Sequence, residues 1–152
     1  MLPKYHFIFG LIFVFLLHLF FPALNFFSLS LIFLSSFLID ADHYLFYIMK
    51  EKDLSFIRAC RWFIVRMKRL CSIPKEQRKK FHTGFFIFHG IEPIIILFLL
   101  GLYVNPVFFF IFVGFAFHMI LDIPDEIIKK GTIHKISLIY SYLAYKKLIL
   151  KK

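Results

Sequence analysis

The order of apolar and polar positions divides the chain into four long apolar segments, two short turns and one long basic loop. The apolar segments cover approximately residues 5–21, 26–48, 84–104 and 107–123. Each approaches the roughly 20 apolar residues that a helix needs to cross a hydrocarbon core about 30 Å thick. Because lipid offers no water to unpaired backbone groups, we expect helices. The pattern predicts an all-α integral membrane protein with about four transmembrane helices, forming a single domain over residues 1–152.

Two short polar turns pair these segments. Pro22 to Asn25 follows the first segment, and Asn105-Pro106 joins the third to the fourth, so we expect two helical hairpins. Pro124 is expected to end the fourth helix. Asp125 and Glu126 would then cap the start of a following helix. We expect the first segment to be retained, since bulky side chains occupy the place where a signal peptidase needs small ones.

Composition and charge agree with a membrane location and predict an orientation. Of the 152 residues, 61% are hydrophobic and 24 are Phe, while the net charge is +10. Residues 50–80 hold eleven Lys or Arg against three acids, and the tail 125–152 holds seven Lys against two. The positive-inside rule places both basic regions, and therefore both termini, on the cytoplasmic side of the cell (inner or cytoplasmic) membrane.

The basic loop contains a predicted amphipathic helix. Its apolar positions recur at helical spacing, and its cations occupy the other side, which is typical of a helix in the headgroup region. The apolar positions are Phe56, Ile57, Cys60, Phe63, Ile64, Met67 and Cys71. We expect membrane lipids, with anionic headgroups, as partners, and Trp62 near the interface. We expect no nucleic acid, because the cations flank membrane spans and no recognition fold is evident.

Eight polar residues inside or at the ends of the apolar segments are candidates for a functional site, because ionisable groups in a membrane are costly. They are His6, Asp40, Asp42, His43, His89, Glu92, His118 and Asp122. In the predicted topology all lie toward the cytoplasmic face. His18 is excluded, because it lies about 18 Å of helix away from His6.

Spacing groups these residues in pairs. Side chains three or four positions apart share one helix face, which pairs His118 with Asp122, His89 with Glu92, and Asp40 with His43. Asp42 points away from Asp40 unless the helix loosens, so one of these two aspartates is a candidate for supporting a ligand instead of binding directly. Pro93 is expected to kink the helix beside His89.

Imidazole and carboxylate groups together suit zinc, with manganese or iron also possible. Eight ligands exceed the needs of one ion, so the sequence predicts one or two divalent ions. An ion of this kind makes bound water acidic enough to act as a hydroxide nucleophile near neutral pH, so no side-chain nucleophile is expected.

At these residues the chain resembles the membrane-bound, metal-dependent hydrolases typified by the LexA-regulated inner-membrane protein of bacteria. The motifs are an early His, a DxDH, a His-containing motif at the third segment and an HxxxD in the fourth. The third motif departs from the familiar His-Arg-x-x-x-His form, because Gln77 replaces its first His. We prefer His89-x-x-Glu92 and keep His82 as a secondary candidate. The resemblance implies an α-helical site related to zinc-dependent phospholipase C and nuclease-type phosphoesterases.

The leading hypothesis is a metal-dependent membrane hydrolase acting on a phosphoester or lipid-like substrate at the cytoplasmic face. Two alternatives remain open. The chain could bind or transport metal without hydrolysis, although polar residues are sparse in the outer halves of the spans. It could also be a structural membrane protein whose polar groups only specify helix contacts.

Overall fold

The computed structural model of the chain describes residues 3–78, 86–130 and 137–149. Every regular element within these residues is a helix, so the all-α prediction is confirmed for the described part of the chain. The helices are α1 (Pro3–Phe20), α2 (Phe26–Leu38), α3 (Ala41–Glu51), α4 (Phe56–Ser72), α5 (Lys75–Arg78), α6 (Ile91–Tyr103), α7 (Pro106–Lys130) and α8 (Leu138–Ile149).

Two helical stretches, Phe26–Glu51 and Pro106–Lys129, are long and apolar enough to cross a membrane by length and composition. The helices Lys4–Phe20 and Ile91–Tyr103 are apolar but shorter. At 1.5 Å per residue, the 13 residues of α6 extend only about 20 Å, which is less than a hydrocarbon core of about 30 Å. The structure therefore supports two candidate spans and leaves the count of four as a prediction.

The chain folds into two compact units. Unit 1 comprises Met1–Asp40 and Ile91–Ile123, and unit 2 comprises Ala41–Gly90 and Pro124–Lys152. Unit 1 contains α1, α2, α6 and the first part of α7. Unit 2 contains α3, α4, α5, the last part of α7, and α8.

Unit 1 has large apolar side chains on its surface and polar ones in its interior. Phe15, Phe20 and Phe26 are 61, 74 and 86% exposed, whereas the side chains of His6, Ser36 and His118 are almost completely buried. Such an arrangement would be unfavourable in water, because exposed aromatic area costs about 25 cal/mol per Å². It agrees with an apolar solvent around this unit.

Unit 2 has a small aromatic interior. Trp62 packs edge-on against Phe63, Phe46 tilts toward the Trp62 ring, and the Arg66 guanidinium lies 4.7 Å from the Trp62 ring centroid. The indole N–H of Trp62 donates to Glu51 across 3.0 Å. Trp62 is therefore half-buried within unit 2 by packing between α3 and α4.

Helix α4 confirms the helix predicted in the basic loop, but its buried face is rotated from the predicted apolar face. Ala59 and Leu70 are its most buried residues, while Ile57 is 74% and Ile64 41% exposed. Ser55 caps the helix by accepting a hydrogen bond from the Arg58 amide. The exposed face consequently mixes apolar and cationic side chains. Cys60 and Cys71 are free thiols.

Three helix boundaries differ from the sequence prediction, each for a local reason. The segment 26–48 is interrupted by a turn at residues 39–40, and α6 begins only at Ile91, after bends at residues 87–90. Pro93 therefore lies in the first turn of α6, where its missing N–H has no intrahelical acceptor in any case, and it does not produce a mid-helix kink. Pro124 lies inside α7, which continues to Lys130.

Candidate metal centre

Helix α7 positions two of the candidate ligands in unit 1. His118 and Asp122 are four residues apart and therefore share one face of the helix, as predicted. The Nε2 atom of His118 lies 3.6 Å from Oδ2 of Asp122. The His118 side chain is completely buried and Asp122 is 7% exposed, so both polar groups are largely removed from solvent.

Helix α1 contributes the third residue, His6. Its Nε2 atom lies 3.1 Å from Oδ1 of Asp122, and its ring stacks on that of His118 with the centroids 3.9 Å apart and an interplanar angle of 17°. Ligand atoms from His6, His118 and Asp122 all lie within 4.8 Å of one another. Two protonated rings in this stack would repel each other strongly in a buried environment.

A main-chain carbonyl on α2 determines which nitrogen of His118 carries a proton. Nδ1 of His118 lies 2.8 Å from the carbonyl oxygen of Ser36. A carbonyl can only accept, so Nδ1 is the donor, and in the neutral ring Nε2 carries the lone pair. Nε2, which carries that lone pair, lies 3.6 Å from Oδ2 of Asp122 and 3.7 Å from Oδ1 of Asp40.

These separations do not describe hydrogen bonds. A contact of 3.6 or 3.7 Å is too long for one. The His6 contact with Asp122 is short enough, yet neither ring nitrogen of His6 forms a hydrogen bond within the described part of the chain. The three contacts are ion pairs when the imidazoles are protonated, and a buried group of two imidazoles and two carboxylates needs positive charge, from ring protons or from a bound cation.

A divalent cation would supply that charge. With zinc bonds of about 2.0–2.1 Å to nitrogen and oxygen, two ligands of a tetrahedral ion lie about 3.3–3.5 Å apart. The separations of 3.1, 3.6 and 3.7 Å in the structure bracket this value. The chemical nature of the ligands also fits, since neutral imidazole and carboxylate are common zinc ligands. Buried His and Asp groups of unit 1 could therefore hold a metal ion.

Two glycines allow the helices to approach closely beside this cluster. A Cβ atom at Gly10 would lie 2.5 Å from Oγ of Ser36, and one at Gly114 would lie 2.5 Å from the carbonyl oxygen of Ile32 and closer still to Oγ of Ser35. Each glycine is four residues from a histidine of the cluster. Gly10 therefore shares a helix face with His6, and Gly114 shares one with His118.

Unit 2 contains a second group of sequence-predicted residues. Asp42, 5% exposed, contacts Nδ1 of His43 through Oδ1 at 2.9 Å and Nδ1 of His89 through Oδ2 at 3.0 Å. The backbone N–H of Phe88 also donates to Oδ2 across 3.0 Å. The short segment 86–90, which was expected to be helical, is thus held by the side chain of Asp42.

Glu92 does not join the His6, His118 and Asp122 group. It is half-buried in the first turn of α6, whereas His89 precedes that helix, so the helical spacing from which their pairing was predicted does not apply, and the pairing stays a prediction. The pairing required both residues to be helical. The secondary candidate His82 lies outside the described residues.

The sequence did not predict the roles that Ser36, Asp125 and Glu126 have in the structure. Ser36 acts through its main-chain carbonyl, which no side-chain motif reveals. Asp125 and Glu126 do not cap a new helix, because α7 continues through Pro124. Asp125 instead pairs with Lys129 at 2.7 Å, and Glu126 is buried. The one signal that was present in the sequence is the four-residue spacing of Gly10 and Gly114 from the two histidines.

The fold and these clusters define a helical protein with two candidate membrane spans and buried His and Asp groups. The chain matches no protein-family model, and it matches no curated protein or solved structure. The hydrolase family that the sequence motifs resemble therefore stays a prediction.

Proposed function

We propose that this chain is a metal-dependent hydrolase of the membrane, in which His6, His118 and Asp122 bind a divalent cation together with Asp40. The observation on which the proposal rests is the environment of His118 Nε2. The other ring nitrogen, Nδ1, donates a hydrogen bond to the Ser36 carbonyl. Nε2 itself lies 3.6 Å from the Asp122 carboxylate and 3.7 Å from the Asp40 carboxylate. A lone pair and two anionic groups at such distances are stabilised by a cation among them.

The residues have distinct roles in this proposal. Ser36 fixes the tautomer of His118, and a metal-binding histidine commonly donates its other N–H to such an acceptor. Asp122 is close to both imidazoles, so it holds the negative charge that attracts a cation. When bound, zinc or a similar ion supplies the acidity that lets water act as a nucleophile near neutral pH.

We propose a phosphoester as the substrate class, with lipid-like molecules favoured. A site near the cytoplasmic ends of the predicted spans is at headgroup depth, where a lipid phosphate would meet it. Lys and Arg side chains of the basic loop could offset the charge that develops on phosphate in the transition state.

The proposed topology has four spans with both termini in the cytoplasm, and α4 lies in the headgroup region. Support comes from the apolar surface of α1 and α6 and from the concentration of cations in residues 50–80. The shorter helices α1 and α6 would be accommodated by local thinning of the bilayer or by flanking residues.

A non-catalytic role is the second candidate, and a specific observation favours it. Two histidine rings connect three helices directly. His6 on α1 contacts Asp122 on α7, and His118 on α7 donates to the Ser36 carbonyl on α2. Polar contacts of this kind between membrane helices contribute about 0.6 kcal/mol each. In this case the cluster would stabilise the helix packing with no need for metal. A third possibility shares one property with each candidate: the protein would bind metal, as the hydrolase does, but would have no hydrolytic activity.

Metal content separates these functions. Detergent-purified wild type, His118→Ala and Asp122→Ala are compared by mass spectrometry at matched monodispersity, with His18→Ala as the control, since His18 is exposed on α1. We expect one or two equivalents of zinc or manganese in wild type and in the control, and a loss in both cluster variants. Absence of metal in wild type after reconstitution would overturn the proposal in favour of a packing role.

Hydrolysis requires a second measurement. Metal-loaded protein is incubated with a panel of phospholipids and small phosphoesters, and the released phosphate or diacylglycerol is measured. Product formed by wild type and lost in His118→Ala supports the hydrolase. Stable metal binding with no product from any substrate, combined with metal uptake into liposomes, would instead support transport.

A further inference from the structure

The carboxylate of Asp42 in unit 2 joins two histidines that are far apart in sequence. Oδ1 is 2.9 Å from Nδ1 of His43, and Oδ2 is 3.0 Å from Nδ1 of His89. Oδ2 also accepts the Phe88 N–H. Each oxygen therefore has at least one defined donor, and the side chain is almost fully buried.

These contacts specify the protonation pattern of both rings. An ionised carboxylate has only acceptor atoms, so the proton in each contact belongs to Nδ1 of the histidine. A neutral imidazole that carries its proton on Nδ1 has its lone pair on Nε2. Asp42 thus gives His43 and His89 the same tautomer, with Nε2 as the basic atom of each ring.

The rings are also held in orientation. His43 stacks on Phe86 with the centroids 4.0 Å apart and an interplanar angle of 13°, and it meets His89 edge-on at 4.6 Å. A ring nitrogen of His43 lies within 4.8 Å of a ring nitrogen of His89. Two imidazoles with fixed tautomers and ring nitrogens this close can serve as a pair of nitrogen ligands.

We infer that Asp42 is a positioning residue, which prepares His43 and His89 to bind a divalent cation through their Nε2 atoms. The sequence named Asp42 among eight candidate ligands and left open whether Asp40 or Asp42 supports a ligand instead of binding directly; these contacts favour Asp42 for the supporting role. Its oxygens are already used by two imidazole N–H groups and one backbone N–H, and a carboxylate bonded to the distal N–H of a ligating histidine is a common supporting arrangement. The cation-binding part of the inference rests on the proposed function, whereas the assignment of tautomers does not.

The tautomers are measured directly by long-range ¹H–¹⁵N correlation of ¹⁵N-histidine-labelled protein in nanodiscs, in wild type, Asp42→Asn and Asp53→Asn. Asp53 is the matched control, because its carboxylate binds Tyr47, Ser55 and Arg58 in the same unit. In wild type and the control we expect Nδ1-protonated signals for His43 and His89. In Asp42→Asn at least one ring should change tautomer, because an amide supplies only one acceptor atom. Nε2-protonated rings in wild type, or unchanged tautomers in Asp42→Asn, would overturn the inference.

Zinc addition to the same samples tests the cation. We expect the Nε2 signals of His43 and His89 to shift in wild type while Nδ1 keeps its proton, and zinc affinity at these two residues to fall about 10- to 100-fold in Asp42→Asn. Shifts at His6 and His118 alone would overturn the inference and leave the proposed function intact. No shift at any of the four histidines would overturn both. Circular dichroism and thermal unfolding verify that Asp42→Asn, a nearly isosteric change, remains folded.

Discussion

The imidazole of His118 donates a hydrogen bond to the main-chain carbonyl of Ser36 across 2.8 Å, so that helix α7 is tied to α2 through one nitrogen of a buried ring. The other nitrogen is close to Asp40 and Asp122. One side chain therefore has a packing contact and a candidate binding contact on separate atoms. Substitutions can remove the two contacts independently.

The first prediction uses His118→Asn and His118→Ala. The Asn amide can still donate to the Ser36 carbonyl but has no atom at the place of Nε2, whereas Ala loses both contacts. We expect both variants to lose zinc affinity by about 100-fold or more, because each lacks a ligand. We expect Ala to lower the free energy of unfolding by about 2–4 kcal/mol, since it also leaves a cavity, and Asn to lower it by less.

Isothermal titration with zinc and thermal unfolding in one detergent provide the two quantities. His18→Asn is the control for both. If His118→Asn bound zinc as tightly as wild type, Nε2 would not be a ligand, whatever the stability of the variant.

The second prediction concerns the two glycines beside the cluster. Gly114→Ala would place its methyl group against the backbone carbonyl of Ile32, which cannot move without distorting α2, whereas Gly10→Ala meets the hydroxyl of Ser36, which can rotate. We expect Gly114→Ala to destabilise the protein by about 1–3 kcal/mol, as overpacking does, and Gly10→Ala to cost less.

Thermal unfolding of the two single variants tests this order. Adding Ser35→Ala to Gly114→Ala should not restore stability, because the Ile32 carbonyl remains 2.5 Å away. A full rescue by Ser35→Ala would mean that the serine hydroxyl, and not the backbone, limits the approach of the helices.

The third prediction is a pH dependence that arises from Asp53. The hydrogen bond from Tyr47 lowers the pKa of Asp53 below its ordinary value of 3.8, and the Ser55 N–H and Arg58 act in the same direction. Because the folded state releases this proton more readily than the unfolded state, the stabilisation is fully present above the unfolded pKa. It is lost as the pH falls below about 4 toward the folded pKa.

Thermal unfolding of wild type and Asp53→Asn between pH 7 and pH 3 measures this dependence. The stability difference between the two should be largest at neutral pH and should shrink in acid. Glu76→Gln, at an exposed position on α5, serves as the control. A difference that grew in acid would contradict the assigned direction.

The fourth prediction concerns the exposed face of α4, which carries Arg61, Ile64, Val65 and Lys68. If this face lies on anionic headgroups, each cation contributes about 1 kcal/mol to the attraction. We expect hydrogen exchange of α4 to slow when nanodiscs contain 30% phosphatidylglycerol in place of neutral lipid. Arg61→Glu with Lys68→Glu should abolish the slowing.

Lys146→Glu, a charge reversal on an exposed residue of α8, is the matched control for this experiment. Slowing by anionic lipid should persist in that variant. Equal exchange of α4 in neutral and anionic nanodiscs would contradict a lipid-binding role for this face.

The amino-acid sequence was sufficient to predict helical structure, because long apolar segments and their periodicity depend on local chemistry. It was less informative about boundaries. The non-helical segment before α6 is held by the bonds that Asp42 makes with His89 and the Phe88 amide, and such long-range contacts leave no local pattern. Pro124 was expected to end a helix, but in α7 the helix continues despite one missing backbone hydrogen bond.

For the candidate site, spacing along one helix predicted which side chains share a helix face. It did not predict the contacts between helices. The pairing of His118 with Asp122 required only helical geometry, so it was predictable. The stacking of His6 on His118 and the role of the Ser36 carbonyl depend on how α1, α2 and α7 pack. No periodicity along one helix specifies such contacts.

The glycine spacing has a consequence for how such sites can be recognised in other chains. In α1 the order is His6-x-x-x-Gly10, and in α7 it is Gly114-x-x-x-His118, the reverse. His6 meets His118 and Asp122, while Phe13 meets Phe117, so residue numbers rise along one helix as they fall along the other. Because the two helices are antiparallel, the motif must be reversed in one of them. Only then do the two histidines lie side by side, with the two glycines side by side one helical turn further along. A search for mirrored HxxxG and GxxxH pairs could therefore find related sites in sequences too divergent to align.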